Sequence, residues 1–105
     1  ILPLGREGLK VRWTRPALTD LIEAQVHIAR DNPLAAQSVA QRLWDAAQQL
    51  ADHPQIGRPG YHPGTREWVV ASTPYLIVYR LRYETVEILR LWHGRRNWQS
   101  ETDPG

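Results

Sequence analysis

The hydrophobic pattern of this chain changes period near residue 55, and that change decides its fold class. Before it, apolar residues recur at three- and four-residue spacing; after it, they come in short runs bounded by Pro, Gly and Ser. Thr14 or Arg15, followed by Pro16, opens a helix through "ALTDLIEAQVHIAR", whose apolar stripe reads Leu18, Leu21, Ile22, Ile28 and Ala29. "DNP" stops that helix and starts the next, because Asn32 is a good N-cap and Pro33 suits the first helical position. The second helix is expected to reach about Asp52, with Ala36, Val39, Ala40, Leu43, Ala47 and Leu50 on its apolar face. Two helices with so short a joint form an αα-hairpin.

The second half reads as strands. After the Pro- and Gly-rich "HPQIGRPGYHPG" come "REWVVA", "YLIVYRL" and "TVEILRLW", separated by "STP" and "RYE", lengths that suit an antiparallel meander. The middle run is apolar on both faces and is therefore a central strand. An early alternating run, "KVRW" (Lys10 to Trp13), is expected to join the same sheet. The fold class is α+β of order β-α-α-β-β-β: an antiparallel sheet with an αα-hairpin packed on one face. At 105 residues one domain is expected, spanning 10–98, with an N-terminal extension at 1–9 and a frayed tail at 99–105.

Composition removes several functions. There is no cysteine, so disulfides and thiolate chemistry are excluded. No signal peptide or run of eighteen apolar residues is visible, and the expected setting is the cytoplasm. His53, His62 and His93 fit no ligand spacing, and no glycine-rich phosphate loop is present, so neither a metal nor a cofactor is expected. The five tryptophans read mainly as core in a chain without Phe or Met; Trp98, beside Arg95 and Arg96, is the one expected to touch a partner.

Charge is distributed unevenly. Residues 58–98 carry arginines at 58, 66, 80, 82, 90, 95 and 96 against Glu67, Glu84 and Glu87, so an anionic partner should meet this half. Arg66 and Glu67 stand side by side at the mouth of a strand and must point to opposite faces. Glu67 or Glu87 could pair across strands with Arg66 or Arg90, or Arg66 and the later arginines could form a basic surface.

The strings "ALTDLIEAQVHIARDNPLAA", "LADHPQIGRPG", "GTREWVV", "PYLIVYRL" and "VEILRLWHGRRNW", in this order, resemble the RelE/ParE superfamily of toxins from type II toxin-antitoxin modules. The resemblance spans roughly residues 10–98 and agrees with the fold read from the pattern. It implies a growth-inhibiting toxin neutralised by a cognate antitoxin, with DNA gyrase as target in ParE-like members and mRNA on the ribosome in RelE-like ones. RelE-like nucleases carry basic residues where this chain has Glu67, Val69 and Leu76, so the resemblance leans to ParE. On that reading Arg66, Arg90, Arg95, Arg96 and Trp98 contact partners, and a toxin-antitoxin hetero-oligomer is expected. On the RelE-like alternative His93, which titrates near neutrality, and Arg66 would be catalytic. A third alternative is a non-toxic relative that only binds an antitoxin.

Overall fold

The computed structural model describes residues 9–94. The element order is β1 (Lys10–Trp13), α1 (Arg15–Ala29), α2 (Pro33–Gln49), β2 (Arg58–Pro59), β3 (Arg66–Val69), β4 (Tyr75–Arg82) and β5 (Thr85–His93). The proposed extension at 1–9 lies almost wholly, and the tail at 99–105 wholly, outside the described residues, as do Arg95, Arg96 and Trp98.

Both helices start where their caps dictate. The Thr14 side chain accepts from the Ala17 N–H at 3.3 Å and donates to the Ile88 carbonyl at 2.8 Å, so one hydroxyl caps α1 and ties it to the last strand. Asn32 caps α2 by accepting from the Ala35 N–H at 3.1 Å. On α2 the expected face is the buried one: Ala36, Leu43, Ala47 and Leu50 are in the core. On α1 the stripe differs from expectation. The residues turned to the sheet are Ala17, Asp20 and Ala24, with Leu21 and Ile28 packed beside them, whereas Leu18 and Ile22 are exposed. Small side chains at 17 and 24 let the helix approach the sheet closely, which leaves no room there for the larger apolar residues.

The sheet order is β1-β5-β4-β3-β2. The meander β3–β4–β5 is antiparallel as expected, and β1 joins the same sheet, but it runs parallel to β5, so the sheet is mixed. Between β1 and β5 lie both helices and β2 to β4, a connection long enough to bring β5 back beside β1 in the same direction, which a hairpin turn is not. The short β2 adds a second departure from the expected strand set; it pairs Arg58 with Glu67 and Pro59 with Arg66. Its proline suits an edge.

Alternation along β4 gives the sheet two different faces. Tyr75, Ile77 and Tyr79 enter the core beneath the helices with Val86, Ile88 and Leu91, while Leu76, Val78, Leu89 and Trp92 form a second buried cluster on the other face. Trp44 is 43% exposed and stacks on Trp13 with ring centroids 5.5 Å apart. Among the described residues no helix is long and apolar enough to cross a membrane.

Tyr79 holds the irregular 50–65 segment against this core. Its hydroxyl accepts from the Gly57 N–H at 2.9 Å and donates to the Pro54 carbonyl at 2.8 Å. Burial raises the phenol above its ordinary pKa, and the Gly57 hydrogen bond and the nearby Arg66 charge pull it part of the way back. A side chain at 57 would sit 2.7 Å from that hydroxyl and 2.8 Å from the Glu67 carbonyl oxygen, which is why glycine stands there. Tyr79→Phe strands two backbone groups and should cost about 1–3 kcal/mol in a urea titration, since unsatisfied buried partners carry that penalty. A change below about 0.3 kcal/mol would mean that the segment is held by other contacts.

Candidate functional site

The arginines that sequence pattern marks for partners or chemistry have specific positions. Arg66 lies on the helix side of β3 and donates to the Gly57 carbonyl at 2.7 Å, in the loop that Tyr79 also holds. Glu67 points to the opposite face, is 4% exposed, and accepts from Arg58 at 3.1 and 3.2 Å and from the Tyr61 N–H at 3.2 Å. Among the described residues, the glutamates set in the strands take other cross-strand partners than Arg66 and Arg90. Those partners are Arg58 for Glu67, and Arg12 with Arg80 for Glu87. Strand register is the reason: Arg58 lies directly opposite Glu67, and Glu87 lies between Arg12 and Arg80.

Arg90 follows a bulge in β5, opposite Val78, with its guanidinium 5.3 Å from the Trp92 ring centroid. The β4–β5 register passes from Val78↔Arg90 to Tyr79↔Ile88, leaving Leu89 as the extra residue. Arg90 then meets Asp20 in a two-pronged pair of 2.7 and 3.0 Å, and the same carboxylate accepts the Leu91 N–H at 2.9 Å. β1 stops at Trp13 opposite Ile88, so the β5 edge beyond it needs another acceptor, and Asp20 supplies one. An aspartate on the buried face of α1 can be seen in the sequence; its arginine, seventy residues away, cannot.

His93 ends β5 on the helix side. Its ring meets Tyr75 edge-on, centroids 5.4 Å apart, in a cleft of about 420 Å³ that Asp20, Glu23, Ala24, His27 and Leu91 also line. Glu23 and His27 share a face of α1 by their four-residue spacing, and sequence pattern alone did not join them to His93. The cleft therefore offers two imidazoles and the Glu23 carboxylate, beside an Asp20 that is held by Arg90. Arg66 does not reach it. Arg66 pairs with Tyr79 and His93 with Tyr75, four residues apart on β4 and two strands apart across it, which separates their backbones by roughly 16 Å. Among the described residues no group of three or more His, Cys, Asp or Glu side chains could hold a metal ion.

A further feature lies on the outer side of α1. Leu18, Ile22 and Val26 are 41, 58 and 53% exposed and follow one another at four-residue spacing, forming an uncovered apolar stripe beside the α1–α2 joint.

The helical hairpin on a small sheet is a fold that this chain shares with toxins of type II toxin-antitoxin systems. Residues 11–98 match the family described as the ParE toxin of the type II toxin-antitoxin system, parDE, and the chain belongs to that family. It is 43% identical over 89 residues to the Sinorhizobium fredii protein named "Putative toxin Y4kP", covering 85% of this chain and 92% of that one. It is 39% identical over 87 residues to Toxin RelE2 of Caulobacter vibrioides, covering 83 and 97% respectively. Among solved structures it resembles the chromosomal ParDE system from P. aeruginosa, with a TM-score of 0.74, 25% identity, and coverage of 81% of this chain and 95% of that one. It also resembles the RelBE2 toxin-antitoxin complex from Mycobacterium tuberculosis, with a TM-score of 0.55, 25% identity, and coverage of 82 and 98%.

The charged pairs make a pH prediction. Hydrogen bonds from Arg12 and then Arg80 hold Glu87 below the ordinary glutamate value of 4.5. A carboxylate with a depressed folded-state pKa contributes stability that is present above 4.5 and lost as pH falls through its folded value. The unfolding midpoint should therefore fall as pH is lowered from about 5 towards 3, and Glu87→Gln should flatten that slope. An equal slope in the variant would place the acid sensitivity elsewhere.

Proposed function

We propose that this chain is a growth-inhibiting toxin that binds DNA gyrase and traps it on cleaved DNA, and that a cognate antitoxin neutralises it. The observation that carries the reading is how the arginines are used. Cleavage of an RNA phosphodiester needs guanidinium or ammonium groups and a proton-transfer group converging on one phosphate. Here Arg66 holds a loop carbonyl, Arg90 holds Asp20, and the backbones of Arg66 and His93 are roughly 16 Å apart by strand spacing. Such an arrangement favours a protein that works by binding. The end of β5 and the segment after it, with Arg95, Arg96 and Trp98, form the gyrase contact in this reading.

The antitoxin takes the α1 side. Leu18, Ile22 and Val26 offer the spacing by which an apolar helix face is read, and a segment that folds on binding would cover them. The kinship to Toxin RelE2 and the grouping of Glu23, His27 and His93 keep ribosome-dependent mRNA cleavage as the second reading.

One cell experiment separates these readings. On induction in a bacterial host, chromosomal breaks should appear while protein synthesis continues through the first minutes, and His93→Ala should arrest growth equally. Collapse of protein synthesis with intact DNA would favour the nuclease, and absence of arrest would favour a relative that only binds its antitoxin. Co-expressed cognate antitoxin should restore growth. Ile22→Asp, at an exposed position where a change costs within about 0.5 kcal/mol, should stay toxic and escape rescue. Undiminished rescue would remove α1 from the antitoxin surface.

A further inference from the structure

A second concentration of charge lies far from His93, at the end of the sheet where β4 turns into β5. Because β1 runs parallel to β5, Lys10 comes level with Thr85 and Arg82, and Arg12 comes level with Glu87 and Arg80. Side chains two apart on a strand share a face, and the Arg12–Glu87–Arg80 ion pairs show which face this is: the one away from the helices. Four cations thus occupy the corners of a rectangle about 10 Å across the strands and about 7 Å along them, by ordinary strand spacings. Glu87 offsets one of them, and Glu84 in the turn and Asp52, next to the Ala51 whose carbonyl accepts the Leu9 N–H, are acidic groups near this end, so four cations still outnumber three carboxylates. Lys10 and Arg82 are exposed and make no ion pair among the described residues.

The turn itself is unusual. Tyr83 and Glu84 form a two-residue hairpin loop, and Tyr83 has φ 57°, in the left-handed region where such loops favour Gly, Asn or Asp. Its ring is 89% exposed, with the Arg82 guanidinium 6.0 Å from the ring centroid. Nothing in the packing asks for an aromatic side chain here, and the backbone would be easier with glycine. A residue held at conformational cost and pointed into solvent beside a cluster of cations is placed for contact.

The composition of the patch separates two kinds of partner. Protein–protein interfaces have centres depleted of charge, whereas the strand ends that adjoin Tyr83 carry Lys10, Arg82 and Glu84. A positively charged, polar surface with an exposed ring is the makeup of a nucleic-acid contact, in which cations follow phosphates and the ring stacks on a base. We propose that the β4–β5 turn and the adjoining end of β1 bind the backbone of single-stranded nucleic acid, with Tyr83 as the stacking platform. This inference stands apart from the gyrase reading, since it concerns the isolated chain and a bare oligonucleotide.

The test is fluorescence anisotropy of a labelled mixed-sequence DNA 20-mer with the full chain across a salt series. Binding should weaken with salt, and Lys10→Gln and Arg82→Gln should each lower affinity roughly five- to tenfold at 50 mM salt and reduce the log–log salt slope by about 0.7. Tyr83→Gly should lower affinity by about tenfold, the loss expected of one stacked base, while the thermal midpoint stays level or rises because the strained φ is relieved. Arg42→Gln, on the exposed side of α2, is the control and should leave binding unchanged. The proposal is overturned if the oligonucleotide fails to bind at 25 mM salt, if Arg42→Gln weakens it as much as Arg82→Gln, or if folded Tyr83→Gly binds as tightly as the parent. Equal binding of a labelled polyglutamate peptide, lost with the same substitutions, would also overturn it and give the patch to an acidic protein segment.

Discussion

Three carboxylates set into the sheet decide what the arginines of this molecule can do. Asp20, Glu67 and Glu87 are each less than 9% exposed, and each is matched by at least one guanidinium: Arg90, Arg58, and Arg12 with Arg80. A buried carboxylate without its cation would be severely penalised, so each pairing fixes the strands or the helix that carry it in one register. Asp20 sets the distance between α1 and the end of β5, Glu67 ties β2 to β3, and Glu87 ties β1 and β4 to β5. The arginines enriched in the second half of the chain are in this sense partly architectural. Arg82 at the β4–β5 turn, which makes no ion pair among the described residues, and Arg95 and Arg96 further along the sequence carry the proposed contacts.

Much of this was legible in the sequence because it is written in local pattern. The caps at Thr14 and Asn32, the two helices, the three meander strands and the central place of "YLIVYRL" all follow from neighbours within a few residues. That Arg66 and Glu67 face opposite ways follows from alternation alone. What escaped depends on pairing across the chain. The direction of β1, the partner of Asp20 and the α1 residues beside His93 are set by pairings more than sixty positions apart. Leu21 and Ile28 pack on the core as expected, but Leu18 and Ile22 depart from expectation for a different reason: hydrophobicity marks them, while close helix–sheet contact selects Ala17 and Ala24. The exposed leucine and isoleucine are then a surface rather than a core.

The fold sorts the molecule into regions with different chemistry. The apolar stripe of α1 lies on the helix side, the cleft around His93 opens where α1 crosses the ends of β4 and β5, and the cationic turn lies at the opposite end of β5. A protein that must engage both a target and a neutralising partner can use such separated surfaces independently. Membership of the ParE toxin family together with kinship to Toxin RelE2 shows how one scaffold is shared by proteins of different names, so the target is argued from side chains and not from the scaffold.

The most direct test of the account is a reconstituted gyrase reaction. Purified chain is incubated with gyrase, ATP and supercoiled plasmid, then denatured and digested with protease, and the plasmid is examined for linear DNA. The account predicts a linear band that grows with the amount of chain added and is the same for His93→Ala. Normal supercoiling with no linear product, together with cleavage of mRNA on translating ribosomes, would contradict it and move the chemistry to the His93 cleft.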